Sequence, residues 1–522
     1  MQSSDLALLG QTPEQLLAGL PDRVSEPVFR LAQSRPDAPA LKDHTGDACT
    51  YSALATRIRE SQQLLVSRGV RAGDRVMLVC ENSVAACELI LACSEVGAWP
   101  VIVNARMSTP ELEKIRDHCR PRLVICTLAS EAAHRHFNAW QAGDRFESTC
   151  LGKRSLGLLH DPDAIAEQDE AQGNDRVFAL IYTTGTTGDP KGVMLTHRNI
   201  LYVAAVTAAL RGLQDDDHVY GVLPVSHVFG LSAVFLACLF KGAELVLSDR
   251  FEPDRTMSAL LRDNITGLFG VPTLFARLAD HIRQYGLPTG GLPGLRFMYS
   301  GGAPLEPGLK ADVEQRFGMP LLNAYGMTES GPTICQVRYN EPLTSCSVGR
   351  PLPGLDVRVV GPQGRDVAPG KVGELHIRGP NVMRGYYRNP VATAAVLDNE
   401  DFLNTGDLVW QDADGNVFIA GRSKELIIHS GFNVYPPEVE AALGNHPEVL
   451  LCAVIGEQAD GNEEVVAYVQ RVEGSTLDEK TLLDFVRPLL TAYKRPSRIE
   501  FRDSLPSAPS GKVLKHRLET SR

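Results

Sequence analysis

The 522-residue chain has no surplus of positive charge: 52 lysines and arginines stand against 63 aspartates and glutamates, a formal net charge of -11. That balance recruits neither nucleic acid nor an anionic membrane as the main partner, so an anionic substrate must find local cations. No C-x-x-C pair occurs among the 11 cysteines, and their odd number argues against a disulfide framework or a thiolate zinc site, which suits a reducing cytoplasm. The N-terminus lacks a basic stretch followed by an apolar one, so no secretion signal is expected. The longest apolar run, Leu231 to Phe240, falls well short of a bilayer span and predicts a buried helix, not a transmembrane segment. Also missing are G-x-x-x-x-G-K-[ST], any G-x-G and any G-x-S-x-G, which removes the Walker A loop, the dinucleotide fingerprint and the serine-hydrolase elbow.

What is present is alternation. Short β-rich runs (Arg75 to Cys80, Arg122 to Cys126, Phe178 to Thr183, Ala243 to Ser248, Ile265 to Gly270, Leu295 to Tyr299) are separated by helical patterns. The order predicts an α/β fold with largely parallel sheets. One helix start is legible in detail, with Thr109 as cap, Pro110 at the first helical position and Glu111 and Glu113 facing the positive end of the dipole. After about Asn340, Gly and Pro punctuate short strands (Val372 to Arg378, Asn416 to Arg422), as in a β-rich subdomain. From Lys424 the texture changes again, to helix at Pro436 to His446, strands at Val449 to Gly456 and Glu463 to Val472, and helix at Leu477 to Leu490. The expected division is a large domain over 1–421, a hinge at 422–425 and a small α+β domain over 426–522.

The strongest local signal is Tyr182-Thr-Thr-Gly-Thr-Thr-Gly-Asp-Pro-Lys-Gly192, between a strand and a helix that begins near Thr196. Gly185, Gly188 and Gly192 let backbone approach an anion, Thr183, Thr184, Thr186 and Thr187 offer hydroxyls, and Lys191 adds a cation. Such a loop can cradle a polyphosphate. Its whole string fits [ST]-[ST]-G-[ST]-T-G-x-P-K-G, and on it the chain resembles the adenylate-forming superfamily of acyl-CoA synthetases, peptide-synthetase adenylation domains and beetle luciferases.

Further motifs extend the resemblance over nearly the whole chain. In Asn323-Ala-Tyr-Gly-Met-Thr-Glu329 it implies Tyr325 stacked on adenine, Asn323 at the adenine edge, Thr328 at the α-phosphate and Glu329 holding Mg²⁺, a cation that wants hard oxygens. Ser300-Gly-Gly-Ala-Pro304 would set Gly302 and Ala303 beside the adenine. Asp407, in Thr405-Gly-Asp407, and Arg422 would meet the ribose. Lys424 would be the pivot for the small domain, and the Ser430-Gly431 loop the part that swings in to form a pantetheine tunnel. Lys512, in Pro506-Ser-Ala-Pro-Ser-Gly-Lys512, would stabilise the charge that develops as a carboxylate attacks the α-phosphate. Taken singly, Tyr-Gly-Met-Thr-Glu, Thr-Gly-Asp and Pro-Ser-Gly-Lys are ordinary turns; their order along one chain carries the reading.

The implied activity has two halves. A carboxylate and MgATP give an acyl-adenylate and pyrophosphate, and the thiol of coenzyme A then displaces AMP. His227, in Leu223-Pro-Val-Ser-His-Val-Phe-Gly230, would border the acid, although a core histidine has the same appearance. Phe229, Val271, Pro272, Ala324, Gly326 and Met327 are candidate walls, with Ala324 and Gly326 leaving room. No Arg or Lys near these motifs is poised for a second carboxylate, so an apolar acid, fatty or aryl, is expected. Loading of a carrier protein, a luciferase-like oxygenase and a non-catalytic nucleotide-binding protein are the alternatives, and a homodimer is compatible with the sequence.

Overall fold

The computed structural model describes residues 3–140, 144–148, 154–184, 190–286, 292, 294–430, 432–459, 462–508 and 513–518. Two large sheets dominate the first part of the chain. One has eight strands in the order 385–386, 190–196, 177–184, 99–104, 75–80, 123–127, 154–160 and 144–148. The other has nine, and its parallel centre runs through Leu321–Gly326, Phe297–Ser300, Gly267–Gly270, His218–Gly221 and Glu244–Leu247. Arg75–Cys80 is buried at all six positions and pairs in parallel on both sides, as a strand covered on both faces by helices must be. The helices Val84–Val96 and His197–Leu210 are apolar and buried on almost every side, which marks them as core elements.

Several expectations are corrected. The helix Thr109–Cys119 is capped by Ser108, not Thr109: Glu111 accepts from the Ser108 backbone N–H at 2.9 Å, closing a capping box, and Thr109 already lies inside the helix, its hydroxyl 3.0 Å from His136 Nδ1. The predicted helix over Leu477 to Leu490 is shorter, Glu479–Val486, because Asp478 caps it by accepting from Thr481 N at 2.7 Å. The apolar run does form a buried helix, a π-helix over Phe229–Leu236 continuing as α over Ala237–Lys241. The Ala233 carbonyl in that π-turn accepts from the buried Arg211, whose guanidinium lies 4.8 and 5.1 Å from the rings of Phe269 and Tyr299. No helix among the described residues is long and apolar enough to cross a membrane.

A four-stranded antiparallel sheet (356–360, 373–378, 403–411, 417–422) forms the β-rich subdomain and ends at Arg422. A single 3₁₀ turn, Ser423–Glu425, leads from it into the remainder. There a hairpin (Ile427–His429 with Phe432–Val434) and a three-stranded sheet (449–459, 462–471, 498–502) pack against helices Pro436–Gly444 and Glu479–Val486. This part has its own core, built from Ile427, Val434, Leu443, Val454, Val469 and Leu482.

Candidate active site

The C-terminal ends of the parallel strands open into a cleft of about 2940 Å³ between the two parts of the chain. On one side stands the phosphate hairpin. Strand Val177–Thr184 turns back into strand Pro190–Thr196 in antiparallel pairing, with Thr183 opposite Lys191, so the loop joins two strands and Thr196 only then caps the next helix. Thr184 is placed by its backbone alone, and Gly185, Thr186, Thr187 and Gly188 lie outside the described residues. The bare Gly192 is required by packing, because a Cβ there would stand 3.1 Å from the Tyr182 ring. Tyr182 in turn meets His118 Nδ1 at 2.7 Å.

Across from the hairpin, Leu321–Gly326 is followed by a 3₁₀ turn, Thr328–Ser330, and a further strand, not by a helix. Gly331 (φ +69°) and Asn381, which donates to the carbonyls of Ser330 and Thr333 at 2.9 Å, hold that turn. Thr328 and Glu329 are buried within it at 7% and 8% exposure, low enough to fix both side chains. The Tyr386 hydroxyl donates to Glu329 Oε1 at 2.7 Å. Glu329 is the carboxylate that could hold a cation; no group of three or more His, Cys, Asp or Glu able to do so occurs among the described residues.

At the ribose end, Asp407 and Arg422 are cross-strand neighbours, and Arg422 Nε lies 3.3 Å from Asp407 Oδ1. Tyr325 donates its hydroxyl to Asp407 Oδ2 at 2.5 Å. Burial first, and then the Asp407 charge, push the Tyr325 phenol well above its ordinary range, so it remains a donor. Desolvation works against the Arg422 charge, but Asp407 and Glu425 outweigh it and raise its pKa. Asn323 donates to the Cys346 carbonyl at 3.0 Å and accepts from Ala324 N at 3.1 Å. Gly302 (φ +81°) and Ala303 border the cleft beside these residues.

On the acid side, His227 Nδ1 accepts from the Phe229 backbone N–H at 3.3 Å, which puts the hydrogen of a neutral ring on Nε2. Phe229, Val271, Pro272 and Ala324 are buried apolar walls, and Met327 is half-buried. A Cβ on Gly326 would lie 1.9 Å from the Pro332 carbonyl oxygen, so the returning backbone requires a glycine there, and Gly326 also borders the cleft. Gly301 is buried against this wall: a Cβ there would stand 3.1 Å from the Phe229 ring and 3.2 Å from the Ala324 carbonyl, so its bareness lets these groups pack closely. The Gly-Gly dipeptide in Ser300-Gly-Gly-Ala-Pro304 was the available signal for it. Tyr386 gives no such signal, since only strand pairing brings it near Glu329.

Lys424 sits in the linking turn and borders the cleft. Ser430, at φ +52°, follows the first strand of the hairpin, Ile427–His429; Gly431 and Lys512 lie outside the described residues. The segments on either side of Lys512 are anchored by a Ser507–Val513 bridge and by Leu514 N donating to Pro506 O at 2.8 Å. Ser507, Val513 and Lys515 border the cleft, whereas Ile428 and Phe432 of the hairpin are more than half exposed. Lys515 pairs with Glu440 at 2.8 Å and with Glu425 of the linking turn at 3.3 Å.

Comparison with known proteins agrees with this geometry. Residues 28–387 match the AMP-binding enzyme family, and 438–512 match the AMP-binding enzyme C-terminal domain. A feruloyl-CoA synthase of an Amycolatopsis species is 36% identical over 491 residues, 93% of this chain and 96% of that one. An indoleacetate–CoA ligase of Aromatoleum aromaticum is 32% identical over 498 residues, covering 94% and 96%. The crystal structure of ATP-bound MatB from Rhodopseudomonas palustris superposes with a TM-score of 0.83 at 31% identity, over 96% of this chain and 98% of that one. The fold and the cleft define an AMP-forming acid–thiol ligase of the acyl-CoA synthetase type. The chain belongs to the AMP-binding enzyme family.

Proposed function

We propose that the enzyme joins an aromatic or aryl-substituted carboxylic acid to coenzyme A through an acyl-adenylate, using MgATP, in a reducing cytoplasm. The observation that carries the choice of acid is the apolar wall of Phe229, Val271 and Ala324, with Gly301 packed against it, beside the residues read as nucleotide contacts. A flat ring fits such a wall, and the similarity to a feruloyl-CoA synthase and an indoleacetate–CoA ligase supports an aryl acid over a fatty one.

In this reading the hairpin around Thr183 and Lys191 receives the triphosphate. Tyr325 flanks the adenine, and Asp407 accepts from the ribose while Arg422 offsets its charge. Glu329 holds Mg²⁺; the fit is good, because a buried carboxylate with one oxygen engaged by Tyr386 keeps lone pairs for a hard cation. When bound, the metal supplies neutralisation of phosphate charge. His227 orients the acid carboxylate, and Lys512 steadies the charge that develops on the α-phosphorus. Rotation about Lys424 then exchanges the terminal segment for the Ser430-Gly431 loop, so that the thiol reaches the mixed anhydride.

The test is a panel of ferulate, 4-coumarate, benzoate, octanoate and palmitate with ATP and coenzyme A, scored by kcat/KM. Aryl acids should lead by at least tenfold. A palmitate value equal to theirs would reject the choice of acid, and absence of acid-dependent pyrophosphate exchange with every member would reject the adenylation reading itself.

A further inference from the structure

Between the phosphate hairpin and the Glu329 turn runs a segment that none of the motifs contains. Met383 donates its N–H to the Glu329 carbonyl at 2.8 Å, Arg384 to Met194 O at 3.0 Å and Tyr387 to Gly192 O at 2.7 Å. Gly385 and Tyr386 pair antiparallel with Met194 and Val193. The backbone of this segment is therefore stitched to both halves of the phosphate site. Gly385, at φ +142°, has no room for a Cβ, which would lie 2.9 Å from Thr393 Cγ2, and Thr393 Oγ1 accepts from Tyr386 N at 2.9 Å. Tyr386 itself is buried. Its hydroxyl donates to Glu329 Oε1 at 2.7 Å, while the Lys191 ammonium lies 5.1 Å from its ring centroid.

We infer that Tyr386 is a positioning residue for adenylation: its hydroxyl orients the Glu329 carboxylate toward a divalent cation, and its ring keeps the Lys191 ammonium from collapsing onto that carboxylate. The inference rests on the reading of Glu329 as the Mg²⁺ contact. A carboxylate turns easily about its last torsion, and one fixed O–H donor removes that freedom while leaving the second oxygen for a hard cation. A lysine and a glutamate on facing elements of a desolvated site attract strongly, and such a pair would have to break before triphosphate and metal could enter. An ammonium held over a ring, by about 0.5–1 kcal/mol, keeps its three N–H donors for phosphate.

Mn²⁺ serves as the probe. Its binding in the presence of a non-hydrolysable ATP analogue is read from loss of the free-ion EPR signal, alongside the Mg²⁺ dependence of pyrophosphate exchange. Tyr386→Phe should weaken nucleotide-dependent Mn²⁺ binding about three- to tenfold, the size of one lost hydrogen bond, and leave metal-free nucleotide binding unchanged. Tyr386→Leu should weaken metal-free nucleotide binding as well, since Lys191 loses its rest. In a Glu329→Gln background Tyr386→Phe should cost nothing further. Unchanged Mn²⁺ affinity in Tyr386→Phe, or an equal loss in the Glu329→Gln background, overturns the inference while the Mg²⁺ reading stands. Failure of the wild-type enzyme to bind Mn²⁺ with nucleotide removes both.

Discussion

Tyr325 and Asp407 lie 82 residues apart in sequence and share a hydrogen bond of 2.5 Å at the border of the cleft. The bond joins the last parallel strand of the nine-stranded sheet to the β-rich subdomain, and Arg422 holds the other oxygen of the same carboxylate. Asp407 thus anchors Tyr325, and in the proposed reading its second duty is to present acceptors to a ribose.

The two duties separate by mutation. Asp407→Ala leaves a buried phenol without its acceptor and Arg422 without its nearest carboxylate, so both stability and ATP binding should fall, stability by about 1–3 kcal/mol. Tyr325→Phe removes only the hydroxyl, and its ATP KM should rise less than tenfold. Thermal melts and ATP titrations decide; equal effects of the two changes on ATP KM would show that Asp407 acts only through Tyr325.

The acid wall makes a steric prediction. Gly301→Ala places a methyl 3.1 Å from the Phe229 ring and 3.2 Å from the Ala324 carbonyl, tight enough that the wall must give. Overpacking of this kind costs about 1–3 kcal/mol. The expected result is a kcat/KM for ferulate at least tenfold lower, a smaller loss for benzoate and an unchanged ATP KM. A uniform loss across acids would place Gly301 outside the acid pocket.

A pH dependence follows from Glu306. Its Oε2 is buried without a hydrogen-bond partner, and a Cβ on Gly444 of the small domain would lie 3.5 Å from its Cγ. Glu440 and Lys515 face it from the small domain, with the thiols of Cys346 and Cys452 nearby. Burial first, then the Glu440 charge, push its carboxyl up to about 8, with Lys515 opposing. At this carboxyl the folded state therefore keeps a proton that the unfolded state loses between pH 4.5 and about 8, so its contribution to stability falls as pH rises through that window and levels off above it. Glu306→Gln should be more stable than wild type at pH 9, by about 1–3 kcal/mol, and not at pH 5. Melting curves at both values check this, and parallel behaviour would refute it.

The linking turn offers a kinetic test. Lys424→Pro restrains φ in the single turn between the two parts, so thioester formation from supplied acyl-adenylate should slow by at least tenfold while pyrophosphate exchange survives. Lys512→Ala should do the opposite. Equal loss of both half-reactions in either variant would remove that residue's assigned role.

The motifs were legible because their residues are near neighbours: Thr183 and Lys191 pair on one hairpin, and Tyr325, Thr328 and Glu329 gather at one strand end. Alternating apolar runs likewise carried the α/β class, since burial on both faces writes itself as continuous Val, Ile and Leu. Local chemistry was less decisive at element ends. Ser108 took the cap that Thr109 could have filled, and Gly326 proved to be required by the Pro332 carbonyl of the returning strand.

By itself, then, the amino-acid order determined the kind of fold and the motifs that gather on one hairpin and one strand end, all of which depend on neighbours a few positions away. Only the tertiary structure decided that Tyr386 reaches Glu329 across 57 residues, that Gly301 packs close beside Phe229, and that Glu306 faces Glu440 and Lys515. Those relationships arise where strands and domains pack, and side chains far apart in sequence leave no periodic trace of a contact made only when the sheets close.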